Sequence, residues 1–436
     1  MSEPRIGSAP CRVRGIQHHG WRAVQLTNGL IAAVLVPDIG GRIMAYDLGP
    51  CSYLWVNHAL LGRTFSPEEN VGDGSIASWR NYGGSKTWPA PQGWETDDQW
   101  HGPPDPVLDT GRYAVEKAEC SSAGAMVRVR SPEDPRTGVQ IVRQLTLHPG
   151  GTHATLHLEM LNVSDRFRTW SLSDVVQLDA ARRDENGGET HNDHAWLYVP
   201  TNPLSRFPRG YRVIFGEFEN PEWQMLGPGL LGAQYLYHLG KIGVDSPAGW
   251  LAFVNGDGDW AFCQRFTYLP GESYPDGGAS VECWTTGLGP SIGGLDYERD
   301  RLYHVEAEVL GPLRRLAPGE MQSLDIEWCA ARCPGPILNV SEVGCCHQPL
   351  QVAPVGEAVR LRGTYGVFYD GEVQLLWLDG ADSELARENI ALANPLGVLM
   401  IDLVRRPPDA AARARLDVTV AGQPLGPLDK AALHAR

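Results

Sequence analysis

The sequence predicts an all-β protein, on three observations. First, the chain of 436 residues contains 50 glycines and 33 prolines, which is too many helix breakers for a helical protein and lacks the period of collagen. Second, apolar and polar residues alternate with period two in many segments. Third, turn-forming sequences such as His148–Gly151 and Asn255–Gly258 separate these segments. Since alternation places successive side chains on opposite faces, each segment is predicted to be a half-buried strand of an antiparallel sheet.

The individual strands follow from this alternation. In residues 155–161, apolar side chains at every second position alternate with His157 and Glu159. We expect roughly eighteen strands before residue 335 and four or five after it. Helical periodicity is confined to the 380s and 390s and to Leu428–Arg436, where two short helices are predicted. The other clearly alternating segments are 127–130, 139–145, 303–309 and 324–328.

A domain boundary is predicted at Arg332–Pro336, where two prolines flank a glycine directly after a strand. Residues 1–334 would form the larger domain, and residues 335–436 a small C-terminal β-sandwich. This module is a candidate element for packing or for homodimer formation, and nothing in its sequence indicates a site. Its strands are predicted at 358–369, 371–378, 397–404 and 415–420.

Charge and composition narrow the class of partner. The formal net charge is −15 at pH 7, without a long run of lysine and arginine, which argues against nucleic acid or an anionic membrane as the main partner. No stretch approaches the roughly 20 apolar residues that span a bilayer, and the first residues lack the pattern of a signal peptide. We therefore expect a cytoplasmic protein that binds neither nucleic acid nor a membrane.

Signals for metals and cofactors are weak. The nine cysteines contain no CxxC pair, and Cys329-x3-Cys333 has no second pair to complete a zinc site, so reduced thiols are expected. No P-loop motif GxxxxGK[ST] occurs. His191, Asp193 and His194 are metal-ligand types, but three ligands within four residues rarely form a tetrahedral site, and a polar loop is the alternative. The sequence therefore predicts no metal and no cofactor.

The stretch from Thr64 to Gly111 is a candidate functional loop. It contains Trp79, Trp88, Trp94 and Trp100 and almost no alternation, and a loop of this length within a compact domain is more often functional than not. Within it, Lys86 would supply a positive charge, Trp88 a stacking face, and Asn81 and Gln92 hydrogen bonds. The alternative is a loop rich in tryptophan and proline that packs over one end of the sandwich.

Two later strands provide candidate acid–base groups. Alternation places Glu282 and Trp284 on one face of their strand, and His304, Glu306 and Glu308 on one face of theirs. A glutamate beside an aromatic residue in a cleft has its pKa raised by partial burial, as a general base requires. The alternative is a solvated sheet face.

Four segments resemble motifs of the galactose-mutarotase-like superfamily, and together the resemblance covers residues 20–332. They are the early Val36–Ile43 segment with its Gly-Gly turn, the N-x-S-D turn at Leu161–Asp165, Val305-Glu306 followed by L-A-P-G-E at Leu316–Glu320, and Gly83–Gln92. The last of these, of the form GGxKxWPAPQ, looks most like a bacterial branch of the superfamily.

The resemblance implies a β-supersandwich with a sugar-binding cleft on a concave face. It implies that Glu306 is the base that acts on the anomeric hydroxyl, with Glu308 in reserve, and that Arg42 holds a hydroxyl or carboxylate. The histidine that serves as the acid in this superfamily does not carry over, because its expected position lies near Val175. Where the family usually has a second histidine, this chain has Lys86.

Three functions follow from the sequence. The first is a carbohydrate-active enzyme that begins with proton abstraction from a sugar or sugar-like polyhydroxylated compound, as an epimerase or isomerase or in a lyase-type elimination. The second is a saccharide-binding protein without catalysis. The third is the same fold recruited for non-sugar chemistry. The candidate catalytic residues are Glu306 and Lys86, and the candidate substrate-binding residues are Arg42, Asn81, Trp88, Gln92, Glu282, Trp284 and Glu308.

Overall fold

The computed structural model describes residues 10–93, 96, 99–289, 297 and 301–433. Within this part of the chain nearly all regular structure is β, which confirms the predicted class. A short α-helix, α1, is Pro67–Val71, and 3₁₀ turns form at Pro37–Ile39, His58–Leu60 and Ile76–Ser78. The strands before residue 335 are β1 Arg12–His18, β2 Trp21–Thr27, β3 Ile31–Val36, β4 Arg42–Leu48, β5 Cys51–Ser52, β6 Ser85–Ala90, β7 Ala114–Ser121, β8 Gly124–Arg130, β9 Val139–Leu147, β10 Ala154–Asn162, β11 Arg168–Asp179, β12 Ala181–Arg183, β13 Glu189–His191, β14 Ala195–Pro200, β15 Arg212–Gly216, β16 Trp223–Gly227, β17 Leu230–Gln234, β18 Gly240–Val244, β19 Trp250–Asn255, β20 Trp260–Phe266, β21 Val281–Thr285, β22 His304–Leu310, β23 Arg314–Leu316 and β24 Met321–Arg332. Those after it are β25 Asn339–Val340, β26 Gly344–Val355, β27 Ala358–Val367, β28 Gly371–Leu378, β29 Glu384–Ala393, β30 Leu399–Arg405, β31 Arg413–Val420 and β32 Gln423–Ala432.

Two large antiparallel sheets dominate the first 332 residues. The first sheet has 12 strands, ordered β1-β2-β3-β4-β6-β11-β22-β21-β18-β15, with β5 beside β4 and β23 beside β11. The second has 10 strands, ordered β16-β17-β14-β19-β20-β24-β10-β9-β8-β7. Because β6, β11, β22, β21 and β18 are consecutive neighbours, segments that are far apart in sequence lie side by side in the first sheet.

The hydrophobic core lies between these two sheets. Tyr46 of β4 packs edge-to-face on Phe262 of β20 and on Trp328 of β24, with ring centroids 5.6 Å apart in both pairs. On β22, the inward side chains are Val305, Ala307 and Val309, all of which belong to this core. The alternate residues of β22 therefore point to the opposite face of the first sheet, away from the second sheet.

The C-terminal residues form two four-stranded sheets, ordered β25-β26-β27-β30 and β29-β28-β31-β32, around their own hydrophobic core. The large sheets use no strand after Arg332, and the small ones begin at Asn339. The module also packs on the second large sheet, since Cys333 and Phe368 share an apolar cluster with Ala261 of β20.

Two predicted helices are wrong. The segment Glu384–Ala393 is strand β29, which pairs with β28, and Gln423–Ala432 is strand β32, which pairs with β31. Both segments contain good helix formers, but helix propensity is a weak preference that tertiary pairing overrides. The predicted strands of this module correspond to β27, β28, β30 and β31, and residues 434–436 lie outside the described part.

Within the described residues, no helix is long and apolar enough to cross a membrane. In the same part of the chain, no group of three or more histidine, cysteine or acidic side chains is arranged to hold a metal ion.

Candidate active site

A cavity of about 360 Å³ lies on the outer face of the first large sheet. Its floor is formed by β11, β22, β21 and β18, and part of its wall by β6 and the long loop that follows residue 64. Among the predicted site residues, six line this cavity: Trp88, Gln92, Glu282, Trp284, Glu306 and Glu308. Trp94 of the loop lies outside the described residues.

Strand register explains why these side chains meet. Glu306 of β22 is directly opposite Gln177 of β11 on one side and Trp284 of β21 on the other. Two residues further along, Glu308 is directly opposite Glu282. Residues that are directly opposite in adjacent strands project from the same face, so the sheet carries three carboxyl groups and an indole together.

Glu306 is held by two donors. The Lys86 Nζ lies 3.0 Å from Glu306 Oε1, and the Gln177 Nε2 donates to the same oxygen at 2.7 Å. Glu306 is 7% exposed and Lys86 1%. Within the described residues no hydrogen-bond partner contacts the other oxygen, Oε2, which is therefore the one available to a ligand.

Lys86 lies behind Glu306 and does not line the cavity. Its ammonium lies 4.5 Å from the ring centre of Trp88 and 5.1 Å from that of Trp79, so two indoles and one carboxylate surround it. Burial lowers the pKa of Lys86, although the carboxylate of Glu306 acts in the opposite direction. Lys86 therefore contacts Glu306 from a buried position outside the lining of the cavity.

The same ion pair decides the charge of Glu306. Burial alone would raise the pKa of Glu306. The nearby ammonium of Lys86, together with weaker favourable interactions, lowers it by more, so the pKa of Glu306 lies below its ordinary value. Glu306 is thus ionised at neutral pH, which a proton acceptor requires.

A second charged cluster lies on β18, β21 and β22. The Lys241 Nζ is 2.6 Å from Glu282 Oε2 and 3.0 Å from Glu308 Oε2. Burial raises the pKa of both Glu282 and Glu308; the carboxyl group of Glu308 raises the pKa of Glu282 further, and Glu306 acts in the same way on Glu308. Burial disfavours the ammonium of Lys241, but the two carboxyl groups more than offset this and raise its pKa.

Arg42 and Asn81 do not line the cavity. The guanidinium of Arg42 is fully buried and pairs with Asp109. The carboxylate of Asp109 also accepts the indole N–H of Trp88 at 3.1 Å and that of Trp79 at 2.8 Å. Arg42 therefore supports the tryptophan wall from behind, and no arginine among the described residues lines the cavity. Asn81 is 4% exposed, and its backbone carbonyl accepts a hydrogen bond from the Asn57 side chain.

Two glycines bring β6 to this position. Gly83 and Gly84 have φ values of +93° and +71°, which L side chains rarely adopt. A Cβ atom on Gly84 would lie 2.3 Å from the carbonyl oxygen of Ile43. The backbone at Gly84, directly before β6, therefore passes too close to β4 to leave room for a side chain.

Replacement of Gly84 by alanine is expected to destabilise the protein by more than the cost of placing alanine at a positive φ angle. Gly74 is the matched control, because it has φ +81° and a Cβ atom there would meet nothing within 4 Å. Gly74→Ala should cost about 1–2 kcal/mol, and Gly84→Ala a further 1–3 kcal/mol, roughly, for the clash. Urea denaturation of both variants checks this; equal losses would contradict the close approach.

His304 is buried beside Glu306 and does not line the cavity. It is 1% exposed, stacks on Trp55 with ring centroids 4.3 Å apart, and its Nε2 accepts from the Gln177 Nε2 at 2.9 Å. Burial lowers the pKa of His304 to about 3, so the ring is neutral at physiological pH. Val175, near which the acid histidine was expected, is fully buried opposite Glu308 and Lys86.

A pH dependence follows from His304. The unfolded chain protonates this histidine below about pH 6.5, whereas the folded protein does so only near pH 3, so the unfolded state binds more protons between these values. The group therefore makes the free energy of unfolding fall as the pH falls through this window, by up to about 1.4 kcal/mol per pH unit. Unfolding of His304→Gln should show a shallower dependence from pH 6.5 to 4 than unfolding of the parent. Identical slopes for the parent and His304→Gln would contradict the buried neutral ring.

Sequence reasoning missed several lining residues. Lys241, Phe215 and Tyr297 contribute to the cavity, and Gln177 orients Glu306 from the neighbouring strand. For Lys241 the only local signal was its position within a short apolar strand, where a lysine needs a buried partner. For the others no local signal existed, because their proximity depends on the order of strands in the sheet.

The fold is similar to that of several solved structures. A galactose mutarotase-like protein from Lactobacillus casei shares 11% identity at a TM-score of 0.45, covering 71% of this chain and 99% of its own. One from Clostridium acetobutylicum shares 10% identity at a TM-score of 0.45, covering 74% and 99%. A galactose mutarotase related enzyme from Lactobacillus acidophilus shares 11% identity at 0.44, covering 71% and 97%. No family model and no curated protein sequence matches the chain.

Proposed function

We propose that this protein binds a neutral sugar or sugar-like polyhydroxylated compound in the cavity and acts on it by proton abstraction, as an epimerase or isomerase. The observation that carries the proposal is Glu306. Its carboxylate is ionised, its Oε1 is fixed by Lys86 and Gln177, and its Oε2 is left for a ligand. A base held in one orientation next to a cavity is what proton abstraction needs.

The walls of the cavity support a sugar ligand. Trp88, Trp284 and Phe215 present aromatic surface to it, against which the apolar face of a sugar ring packs. Gln92 and the carboxyl groups provide partners for hydroxyl groups.

The charges of the lining support a ligand without an acidic group. Glu282, Glu306, Glu308 and Asp276 line the cavity against one cation, Lys241, among the described residues. Like charges repel more strongly in a site shielded from water, so uronic acids and sugar phosphates are disfavoured. We therefore expect neutral sugars to bind more tightly than their acidic counterparts.

Proton NMR in D₂O with a panel of neutral reducing sugars and the matching uronic acids tests the proposal. Accelerated exchange between anomers would indicate ring opening at the anomeric centre, and deuterium at carbon would indicate C–H abstraction in an epimerase, isomerase or lyase. Acceleration restricted to neutral sugars is the expected result. A panel in which every sugar is neither bound nor converted would overturn the proposal and favour non-sugar chemistry on this fold.

A second candidate is a saccharide-binding protein without turnover. The observation in its favour is the direct contact between Lys86 and Glu306, because a carboxylate paired with an ammonium is a weaker base. Line broadening of sugar resonances without exchange would support this alternative.

A further inference from the structure

Ring opening of a sugar needs a proton donor as well as a base. When the C1–O5 bond breaks, the ring oxygen takes up a proton while the base removes one from the anomeric hydroxyl. The position near Val175, where the resemblance led us to expect the acid histidine, carries no histidine. His304 is neutral and buried, and Lys86 lies behind Glu306. Under the proposed function, on which this inference rests, another group must therefore supply the proton.

The cluster around Lys241 has one carboxyl group more than it has cations. Glu282 is 2% exposed and Glu308 3%, and each uses Oε2 to contact the single ammonium. The remaining oxygens, Glu282 Oε1 and Glu308 Oε1, are buried and have no hydrogen-bond partner among the described residues. Two unpartnered carboxylate oxygens in a site of low polarity are costly, and a shared proton relieves both the excess charge and the missing hydrogen bond.

We propose that Glu282 and Glu308 share one proton above Lys241 and that this carboxyl pair donates it to the ring oxygen of the bound sugar. The two residues are directly opposite each other on adjacent strands, so their side chains project from the same face as neighbours. The direction of their pKa shifts agrees, since burial raises the pKa of both. The charged groups around the pair are Lys241 on β18, Asp276 beside Glu282, and Glu306 and Lys86 beside Glu308.

The spacing suits a ring held between base and acid. Glu306 and Glu308 are two residues apart on one strand, which separates their Cα atoms by about 7 Å. Both Glu282 and Glu308 line the same cavity as Glu306.

Ring opening by these groups conserves protons and electrons. Glu306 takes the proton of the anomeric hydroxyl, the electron pair of that O–H bond forms the C1=O1 double bond, and the C1–O5 pair passes to O5. O5 receives the proton of the Glu282–Glu308 pair, which becomes doubly ionised around Lys241. Closure of the ring on either face of the aldehyde reverses both transfers, so no net proton is consumed and the two anomers interconvert.

The test combines a protonation readout with kinetics on the full-length protein. Carbon NMR of protein labelled with ¹³C at the glutamate side-chain carboxyl, assigned with Glu282→Gln and Glu308→Gln, should show one shared proton on this pair at neutral pH. In Glu282→Gln and in Glu308→Gln, one carboxylate remains beside the ammonium of Lys241. The two charges then balance, so the remaining carboxyl group is ionised and has no proton to donate. Both variants should therefore lose the protonated signal and slow anomer exchange by about 100-fold or more. Lys241→Met should move the alkaline limb of the rate profile to higher pH, because the pair then holds its proton more tightly.

Glu327→Gln on the second sheet is the control that removes a carboxylate far from the cavity. If both carboxyl groups of the pair are fully ionised at neutral pH, the inference is wrong whatever the turnover. If the parent protein accelerates exchange and both glutamine variants retain that rate, the inference is wrong while the proposed function stands. If the parent neither accelerates anomer exchange nor incorporates deuterium at carbon with any sugar of the panel, both fail together.

Discussion

Glu306→Gln is expected to lower the rate of the proton-abstraction step by about 10²–10⁴-fold, the usual contribution of a general base. Glutamine keeps the shape of the side chain, and its amide oxygen can still accept from Lys86 and Gln177, whose donors contact Oε1 at 3.0 and 2.7 Å. Sugar binding should change much less than turnover. Anomer exchange and deuterium incorporation by NMR measure the rate, and titration of the sugar resonances measures the binding.

Glu327→Gln is the matched control for this variant. Glu327 lies on β24 of the second sheet, where it pairs with Arg265, so its loss removes a carboxylate without touching the cavity. The parent rate should be retained in this control. A Glu306→Gln protein that is folded and turns over at the parent rate would remove Glu306 as the base.

Lys86→Met is expected to destabilise the protein by about 3–5 kcal/mol, since it leaves the carboxylate of Glu306 buried without its cation. The Lys86 and Glu306 side chains are 1% and 9% exposed, so water cannot replace the lost partner. The loss of the ammonium also raises the pKa of Glu306, which moves the acidic limb of the rate profile to higher pH. The double variant Lys86→Met/Glu306→Gln should recover much of the stability, because no charge is then left unpaired.

Urea denaturation of the four proteins in this cycle gives the coupling energy between the two residues. The exposed pair Arg360–Asp402 provides the comparison, with side chains 42% and 49% exposed, and Arg360→Met should cost at most about 1 kcal/mol. Equal costs for Lys86→Met and Arg360→Met would show that the buried pair does not hold Glu306 as described.

Prediction from the sequence succeeded where the information is local. Alternation along β21 and β22 correctly placed Glu282 with Trp284 and Glu306 with Glu308, because a strand sends every second side chain to the same face whatever surrounds it. The long loop likewise drew attention to Trp88 and Gln92, which line the cavity.

Prediction from the sequence was wrong where the surroundings of a side chain depend on residues that are distant in sequence. Lys86 was expected in the cavity, and Arg42 was expected to hold a substrate group. In the structure Lys86 lies behind Glu306, and Arg42 forms a salt bridge with Asp109, 67 residues away in sequence. The helices expected in the C-terminal module are strands for the same reason, since pairing with β28 and β31 outweighs a local preference.

Local patterns along the chain are enough to establish the all-β class, the face on which each strand carries its polar side chains and the candidate base. The order of the strands establishes the rest. β11 lies between β6 and β22, which brings Lys86 and Glu306 together across 220 residues, and β18 lies beside β21, which brings Lys241 to Glu282 and Glu308. No period along the chain encodes which strand lies beside which, because strand order depends on burial of the whole sheet against its partner.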